Sequence, residues 1–259
     1  MPGFVISEKV PENEKRPIVV IGPMDCEIDD IEKALDNTNV ARIGGYRFTE
    51  GTLNGYPVVA ARSLIGMVNS TATAVLAITA YNPCAVIICG TSGGHTPGLH
   101  QGDIVLGENL VELGSYYTLD RAAGEGSYYP EWTYPGEEMP VDGKIDRVQI
   151  LHSDEDLLKT AMGVKYEGGK LLRGTIASAD IWNKEIDRIL FYHEKLGTDC
   201  EEMEGFAVGQ VCRHFGIPML AIRILSNSQL YPEELFDERF GKDCQAYVLD
   251  VLKAMINER

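Results

Sequence analysis

Short apolar runs alternate with longer amphipathic segments along most of the chain. The run "PIVVIGP" at 17–23, β-branched and ended by Gly-Pro, is typical of a buried strand, whereas the spacing of Ile28, Ile31 and Leu35 is typical of a helix. The same patterns predict further strands at 85–90, 102–113, 170–177, 198–203 and 218–226. They predict helices at 26–37, 66–83, near 153–163, near 183–195, at 204–215 and at 231–257.

Residues 42–63 have a different pattern, in which two strand-like segments flank Asn54-Gly55. Asn-Gly between alternating hydrophobic residues is the strongest short signal for a β-hairpin. Elsewhere strands alternate with helices, which favours an α/β fold with a mostly parallel or mixed sheet and helices on both faces.

Residues 114–146 show no clear period and are rich in Tyr, Gly and Pro. A segment of this length without regular structure inside a compact domain is usually functional or mobile. We expect it to cover a pocket or to widen a dimer interface, because tyrosine and tryptophan are enriched at interfaces. The alternative is a solvated loop without a role.

The chain organisation predicts one domain behind a short arm. Residues 1–16 are polar, with two prolines and several charges, and we expect a flexible N-terminal arm; 17–259 are then a single domain. The N-terminus lacks the basic and apolar regions of a secretory signal, and the apolar segments are too short or too broken to span a bilayer. We therefore expect a soluble, cytoplasmic protein.

Composition narrows the possible partners. The 23 basic and 39 acidic residues leave a formal charge of −16, which argues against nucleic acid and anionic membranes as partners and in favour of a small-molecule ligand. The six cysteines form no CxxC pair, and most lie in apolar runs. We interpret them as reduced thiols, consistent with the cytoplasm.

Four unusual stretches follow predicted strands: "GPMDCE", "CGTSGGH", "EEMEG" and "RILSNS". Ligands of α/β folds gather at the carboxyl ends of strands, so these loops predict one pocket. Glu27, at the start of a helix, is either a carboxylate favoured by the helix dipole or a general base that activates water. The glycines Gly90, Gly93 and Gly94 either let the backbone approach a ligand or form a tight turn.

The "EEMEG" stretch places Glu201, Glu202 and Glu204 within four residues. Such carboxylates repel one another unless they hold hydroxyl groups or cations. One interpretation is a carboxylate that accepts hydrogen bonds from two vicinal ribose hydroxyls. The other is a divalent metal, but no histidine lies near in the sequence and the acids are not spaced as ligands. We expect neither a metal nor a cofactor.

Six motifs occur in the order found in 5′-methylthioadenosine/S-adenosylhomocysteine nucleosidases of the purine nucleoside phosphorylase superfamily: "IGPMDCE", "SLIGMVNS", "VIICGTSGG", "GDIV", "EEMEGFAVGQVC" and "IPMLAIRILSNS". The chain resembles that family from about 17 to 257, apart from 114–146, which looks like an insertion. The resemblance implies a three-layer α/β/α sandwich with a central mixed, partly closed β-sheet. It also implies a homodimer that cleaves the N-glycosidic bond of a purine nucleoside without a metal.

The resemblance carries roles onto matching positions of this chain. Glu27 looks like the base that activates water, Met203 and Glu204 like the pair that holds the ribose, and Asn227 stands at the position of the acid that assists the leaving base. Thr91 falls in the Gly-rich loop, Ile181 or Trp182 is expected to stack on the purine, and Arg223 matches the arginine of an Arg-x-x-Ser-Asp motif. The remaining expected substrate contacts are Met24, Gly93, Glu202 and Ser226.

Water is the expected nucleophile. The phosphorylases of the superfamily bind phosphate with an N-terminal arginine and a second arginine near the Gly-rich loop, whereas this chain has "GPMDCE" and "CGTSGG" there. Acids at that place repel an anionic nucleophile. A nucleoside phosphorylase is the less favoured alternative.

Asn227 departs from the family motif, which ends in Asp. Asparagine cannot transfer a proton, but its amide offers a donor and an acceptor. Aspartic acid suits adenine, whereas asparagine suits a 6-oxopurine. Three hypotheses follow: a hydrolase of inosine-like nucleosides, a slow hydrolase of methylthioadenosine or S-adenosylhomocysteine, or a protein that binds a nucleoside or purine without turnover. Retention of Glu27 and Glu204 argues against the last.

Overall fold

The structure is a computed structural model that describes residues 15–258. Most of the predicted arm, residues 1–14, lies outside the described residues. The strands are β1 Ile18–Gly22, β2 Asp36–Ile43, β3 Tyr46–Leu53, β4 Tyr56–Arg62, β5 Ala85–Gly94, β6 Ile104–Glu112, β7 Glu137–Val141, β8 Lys144–Val148, β9 Leu151–His152, β10 Leu171–Ser178, β11 Thr198–Glu202 and β12 Met219–Ser228. The helices are α1 Asp25–Ala34, α2 Met67–Tyr81, α3 Glu155–Met162, α4 Ile186–Leu196, α5 Gly205–Phe215 and α6 Arg239–Asn257.

Ten strands form one mixed sheet in the order β11-β10-β6-β12-β5-β1-β4-β3-β2, with β9 paired to β6. The central pairs β1–β5 and β5–β12 are parallel, whereas β6–β12 and the meander β2–β3–β4 are antiparallel. The first strand of the order, β11, also pairs with the end of β5. That extra pairing curls one half of the sheet on itself, which confirms the predicted mixed, partly closed sheet.

Helices cover both faces of the sheet. On one face, α1, α3 and α6 pack their apolar residues against the inward residues of β1, β5 and β12. On the other face, α2 and α5 pack against the alternate residues of the same strands. A smaller cluster joins α4 to β6 and β10. These layers confirm the predicted α/β/α sandwich, and within residues 15–258 no helix is long and apolar enough to cross a membrane.

The predicted C-terminal helix starts too early. The prediction was 231–257, but α6 begins at Arg239. Pro232 disfavours a helical conformation at the residue before it. The segment is instead tied to the loop after β5, because Gly98 N donates to the Tyr231 hydroxyl over 2.7 Å and Gln101 Nε2 donates to the Leu235 carbonyl over 2.6 Å.

The pattern analysis missed the strand β2 and the hairpin formed by β7 and β8. The helix predicted over 26–37 ends at Ala34, and β2 follows as a mostly exposed strand that pairs with β3. In the segment 114–146, the hairpin β7–β8 turns at Asp142-Gly143, where both φ angles are positive. Both strands β2 and β8 are largely exposed, so neither carries the apolar run that predicts a buried strand.

Candidate active site

A cavity of about 330 Å³ lies where β1, β5, β11 and β12 end. The carboxyl ends of β1, β5 and β12 meet there because these strands are parallel neighbours. All twelve residues predicted from the sequence line this cavity: Met24, Glu27, Thr91, Gly93, Ile181, Trp182, Glu202, Met203, Glu204, Arg223, Ser226 and Asn227. The structure thus brings the predicted residues together, and their roles stay predictions.

Glu27 projects from the first turn of α1 and is 1% exposed. Its Oε1 accepts hydrogen bonds from Thr91 N over 2.6 Å and from Thr91 Oγ1 over 2.8 Å, and its Oε2 accepts one from Met24 N over 2.9 Å. Burial raises the pKa of Glu27, although Arg223 and these hydrogen bonds oppose the shift. A carboxyl group with a raised pKa binds a proton more readily, as a general base must.

Gly90 leaves room for this carboxylate. A Cβ atom at Gly90 would lie 2.6 Å from Glu27 Oε1 and 2.6 Å from Arg223 Nη1. Both contacts are far inside van der Waals distance, so any side chain at this position would push the acid and the arginine out of place. The close packing of these two groups therefore depends on the glycine at position 90, within β5.

Arg223 on β12 is the buried cation of the site, and it is 1% exposed. Its Nη2 forms an ion pair with Glu202 and lies 3.1 Å from Glu204 Oε2, while its Nη1 donates to the Thr91 carbonyl over 3.3 Å. Burial alone would lower the pKa of Arg223, but the neighbouring carboxylates outweigh that effect and raise it. Arg223 therefore remains charged and connects three of the predicted site residues.

Glu204 stands at the start of α5 with two contacts to its carboxylate. Its Oε1 accepts from Gly66 N over 2.8 Å, and its Oε2 accepts from Arg223. Burial raises the pKa of Glu204; Arg223 opposes the shift, and Glu202 adds to it. Each oxygen keeps a further lone pair, so this carboxylate can still accept hydrogen bonds from hydroxyl groups of a ligand.

Glu202 has a different environment, because its oxygens are already occupied. They accept from the backbone amides of Glu204 over 3.0 Å and Gly205 over 2.9 Å, from the hydroxyl of Ser178, and from Arg223. This geometry favours a role in fixing the start of α5 and the position of Arg223. Direct contact of Glu202 with a substrate, which the sequence analysis expects, stays a prediction.

Asn227 lies at the end of β12, opposite Gly93 of β5. Its Oδ1 accepts a hydrogen bond from Ser226 Oγ over 3.1 Å. A Cβ atom at Gly93 would lie 3.3 Å from Asn227 Nδ2, so the amide nitrogen is directed toward the space above Gly93. The site therefore presents an amide donor at this end of the cavity.

The outer wall of the cavity is apolar. Ile181 and Trp182 lie in the loop after β10, and Trp182, which is 59% exposed, contacts Phe236 edge to face with ring centroids 5.5 Å apart. Phe236 was missed because its segment was predicted as helix. Because Pro232 prevents the helix from starting as early as 231, Phe236 lies in a loop, where a half-buried aromatic residue becomes a candidate ligand contact.

The sequence analysis also missed the pair formed by His95 and Glu201. His95 Nε2 lies 3.3 Å from Glu201 Oε2, both side chains are buried, and both line the cavity. The two residues are more than 100 positions apart, and only the pairing of β5 with β11 brings them together. Within residues 15–258, no three His, Cys, Asp or Glu side chains group as a metal site.

Known proteins resemble this chain over nearly its whole length. A profile of the Phosphorylase superfamily matches residues 17–257. The 5′-methylthioadenosine/S-adenosylhomocysteine nucleosidase of Geobacillus kaustophilus is 29% identical over 245 residues, which cover 93% of this chain and 98% of that protein.

Solved structures share the fold. The 5′-methylthioadenosine/S-adenosylhomocysteine nucleosidase of Neisseria meningitidis, in complex with methylthio-immucillin-A, has a TM-score of 0.76 at 23% identity and covers 92% of this chain and 99% of its own. The futalosine hydrolase of Helicobacter pylori has a TM-score of 0.74 at 25% identity, and the match covers 94% of this chain and 98% of that protein.

Proposed function

Because the chain belongs to the phosphorylase superfamily, we propose that it hydrolyses the N-glycosidic bond of a purine nucleoside in this cavity. The relatives named for nucleosidase activity support the proposal. The observation that carries it is the arrangement of two buried carboxylates, Glu27 and Glu204, around the single guanidinium of Arg223.

Glu27 and Glu204 have separate roles in the proposed reaction. The bond between C1′ of the ribose and N9 of the purine breaks, its electron pair leaves with the purine, and the purine takes up a proton from solvent water. Water forms the new bond to C1′ and gives a proton to Glu27, a step that is typically worth about 10²–10⁴-fold in rate. Glu204 accepts hydrogen bonds from the ribose hydroxyls, and its negative charge stabilises the cation that develops on the sugar.

The charge of the cavity favours water over phosphate as the nucleophile. Among the lining residues within the described range 15–258, Arg223 is the one arginine, and lysine is absent. Arg223 is already paired with Glu202 and Glu204. A phosphate ion would therefore meet carboxylates without a free cation, and their Coulomb repulsion disfavours it.

For the base, we propose that Asn227 donates from Nδ2 to O6 or N7 of a 6-oxopurine. The hydrogen bond from Ser226 Oγ to Asn227 Oδ1 supports this orientation, since it leaves the amide nitrogen to face the cavity. Asn227→Asp should then shift activity toward adenine nucleosides. An unchanged ratio of inosine to adenosine cleavage in this variant would contradict the role of Asn227 but not hydrolysis itself.

A substrate panel tests the proposed reaction. The protein is incubated with adenosine, methylthioadenosine, S-adenosylhomocysteine, inosine, guanosine and futalosine, with and without phosphate, and free base is measured by chromatography. Release of base that does not depend on phosphate supports hydrolysis. Release only with phosphate indicates a phosphorylase, and binding without any release indicates a nucleoside-binding protein; either result overturns the proposal.

We also propose that the protein is a cytoplasmic homodimer whose interface the insertion at 114–146 widens. Tyr117 and Leu119 in this segment are exposed, as apolar residues of an interface are in the isolated subunit. The six unpaired cysteines suit a reducing compartment. Deleting 117–138 should lower the mass measured in solution from dimer to monomer, and an unchanged mass would show that this segment is not the interface.

A further inference from the structure

Asn227, Gly93 and Glu201 lie side by side in one row across three strands. Asn227 of β12 pairs with Gly93 of β5, and Gly93 pairs with Glu201 of β11. Residues paired in this way project to the same face of a sheet. The row therefore directs an amide and a carboxylate into the cavity from its two ends, with a residue that has no side chain between them.

The spacing of this row suits a flat ring. Two neighbouring strand spacings separate Asn227 from Glu201, which is about 9.5 Å between their backbones. Gly93 leaves the space between the two side chains open, and the apolar loop at Ile181 and Trp182 forms a wall beside it. A heterocycle placed there would meet polar atoms at two edges and an apolar surface on a face.

The Glu201 carboxylate is held in place but is not fully used. Its Oε2 lies 3.3 Å from His95 Nε2, and His95 Nδ1 lies 2.9 Å from Thr198 Oγ1 on the same strand as Glu201. Within residues 15–258, Oε1 of Glu201 has no hydrogen-bond partner. In contrast, both oxygens of Glu202 accept hydrogen bonds, and both oxygens of Glu204 have donors at the ribose end.

The Oε1 atom of Glu201 can distinguish a 6-oxopurine from adenine. A 6-oxopurine carries a donor, N1–H, beside its acceptor O6, whereas adenine carries an acceptor at N1 beside a donor amino group. A carboxylate can only accept hydrogen bonds. Glu201 at the N1 edge would thus gain a charge-assisted hydrogen bond from a 6-oxopurine and would meet the lone pair of adenine N1.

We propose that Glu201, positioned by His95, binds N1–H of the purine and makes the site specific for 6-oxopurine nucleosides. The inference rests on the proposed hydrolysis and deepens it, because it names a second specificity-determining residue besides Asn227. The two residues act on different positions along one edge of the base: Asn227 donates toward O6 or N7, and Glu201 accepts from N1.

Glu201→Gln tests the proposal, because glutamine can present an amide donor to adenine N1. We expect the ratio of kcat/KM for inosine over adenosine to fall by about 10-fold to 100-fold, the effect of losing a hydrogen bond to a charged group. Glu167→Gln, the same change at an exposed residue outside the cavity, should leave the ratio unaltered. An unchanged ratio in E201Q overturns the proposal.

Binding of the free bases gives a readout that does not require hydrolysis. Calorimetry should show that the protein binds hypoxanthine more tightly than adenine, and that E201Q loses this preference. If the wild-type protein binds adenine more tightly, the inference is wrong even where hydrolysis is observed. If no nucleoside is cleaved but the preference for hypoxanthine holds, the proposed reaction fails and the role of Glu201 stands.

His95 is a positioning residue, so two substitutions are compared. Glutamine can place an amide nitrogen near the position of the histidine Nε2, whereas leucine cannot donate. We expect His95→Gln to keep the inosine preference and His95→Leu to lose it through a higher KM for inosine with a smaller change in kcat. Equal loss in both variants would contradict positioning of Glu201 by His95.

Discussion

Replacing Arg223 by methionine tests how far one buried cation holds the site together. Arg223 contacts Glu202, lies 3.1 Å from Glu204 Oε2 and donates to the Thr91 carbonyl. Methionine fills part of the same volume with flexible apolar atoms but brings no charge. The variant therefore leaves a group of buried carboxylates, including Glu27, without their cation.

The structure allows the cost to be worked out. Two unit charges 3.1 Å apart attract each other by about 5 kcal/mol at an effective dielectric constant of about 20. Desolvation of both ions offsets much of this attraction, and removing one partner of a buried pair costs about 3–5 kcal/mol in practice. The free energy of unfolding of a domain is only about 5–15 kcal/mol. The R223M variant should therefore lose a large fraction of it.

Arg173 provides a matched control. Its guanidinium also pairs with two carboxylates, at 2.8 Å from Glu108 and 2.6 Å from Glu155, but its side chain is 29% exposed. Ion pairs in contact with water contribute little to stability, because solvent screens the charges. R173M should therefore cost far less than R223M, although the two variants remove the same chemical group from the same kind of pair.

The cost of R223M should grow with pH. Arg223 opposes the raised pKa values of Glu27 and Glu204, so its removal raises both further. The folded variant then binds more protons than the folded wild-type protein above the usual titration range of glutamate. Since stability falls with pH wherever the folded state binds the extra protons, the variant loses stability faster than the wild-type protein as pH rises.

Urea unfolding at several values between pH 5 and 8 measures this difference. We expect the midpoint of R223M to approach that of the wild-type protein at the acidic end and to diverge toward the alkaline end. Equal midpoints of R223M and R173M, or a cost of R223M that shrinks as pH rises, would refute the argument that Arg223 neutralises buried carboxylates.

Three further results are expected. Glu27→Gln should lower the release of purine by about 10²–10⁴-fold, measured as kcat, while binding of free hypoxanthine is unchanged, because Glu27 is held by Met24 and Thr91 and is not one of the residues proposed to hold the purine; weakened binding of hypoxanthine would argue against its role as the general base. Gly90→Ala should destabilise the protein by about 1–3 kcal/mol in thermal unfolding, because its Cβ would overlap Glu27 and Arg223, and an unaltered midpoint would contradict this packing. Added phosphate should not raise the hydrolysis rate, and acceleration by phosphate would contradict the charge argument.

The elements with buried faces were predictable from the sequence. The strands β1, β5 and β12 carry continuous apolar runs because both of their faces are covered by helices, and their positions agree with the prediction. The edge strand β2 and the hairpin β7–β8 are held by strand pairing rather than by burial. Their side chains therefore show no apolar pattern, and pattern analysis could not find them.

Of the site, the part that follows strand ends was predictable. Glu27 and Asn227 stand at the ends of β1 and β12, which are both parallel neighbours of β5, and this topology brings them together, whereas Glu204 follows β11, which reaches the site through its antiparallel pairing with β5. The contact of His95 with Glu201 depends on the antiparallel pairing of β11 with the end of β5, which no local pattern encodes. Long-range pairing of this kind requires the structure.

Three neighbouring acids in "EEMEG" illustrate why residue type alone does not assign a role. Glu202 accepts hydrogen bonds from two backbone amides and Ser178 and pairs with Arg223, so its oxygens are committed to the protein. Glu204 accepts from Gly66 and Arg223 and keeps lone pairs directed to the cavity. Glu201 Oε2 lies 3.3 Å from His95 Nε2, and within residues 15–258 its Oε1 has no hydrogen-bond partner. Because a carboxylate contacts a ligand only through acceptors that the protein leaves open, we expect Glu204 to accept from the ribose and Glu201 from the base, while the predicted substrate contact of Glu202 would have to compete with its bonds to the protein.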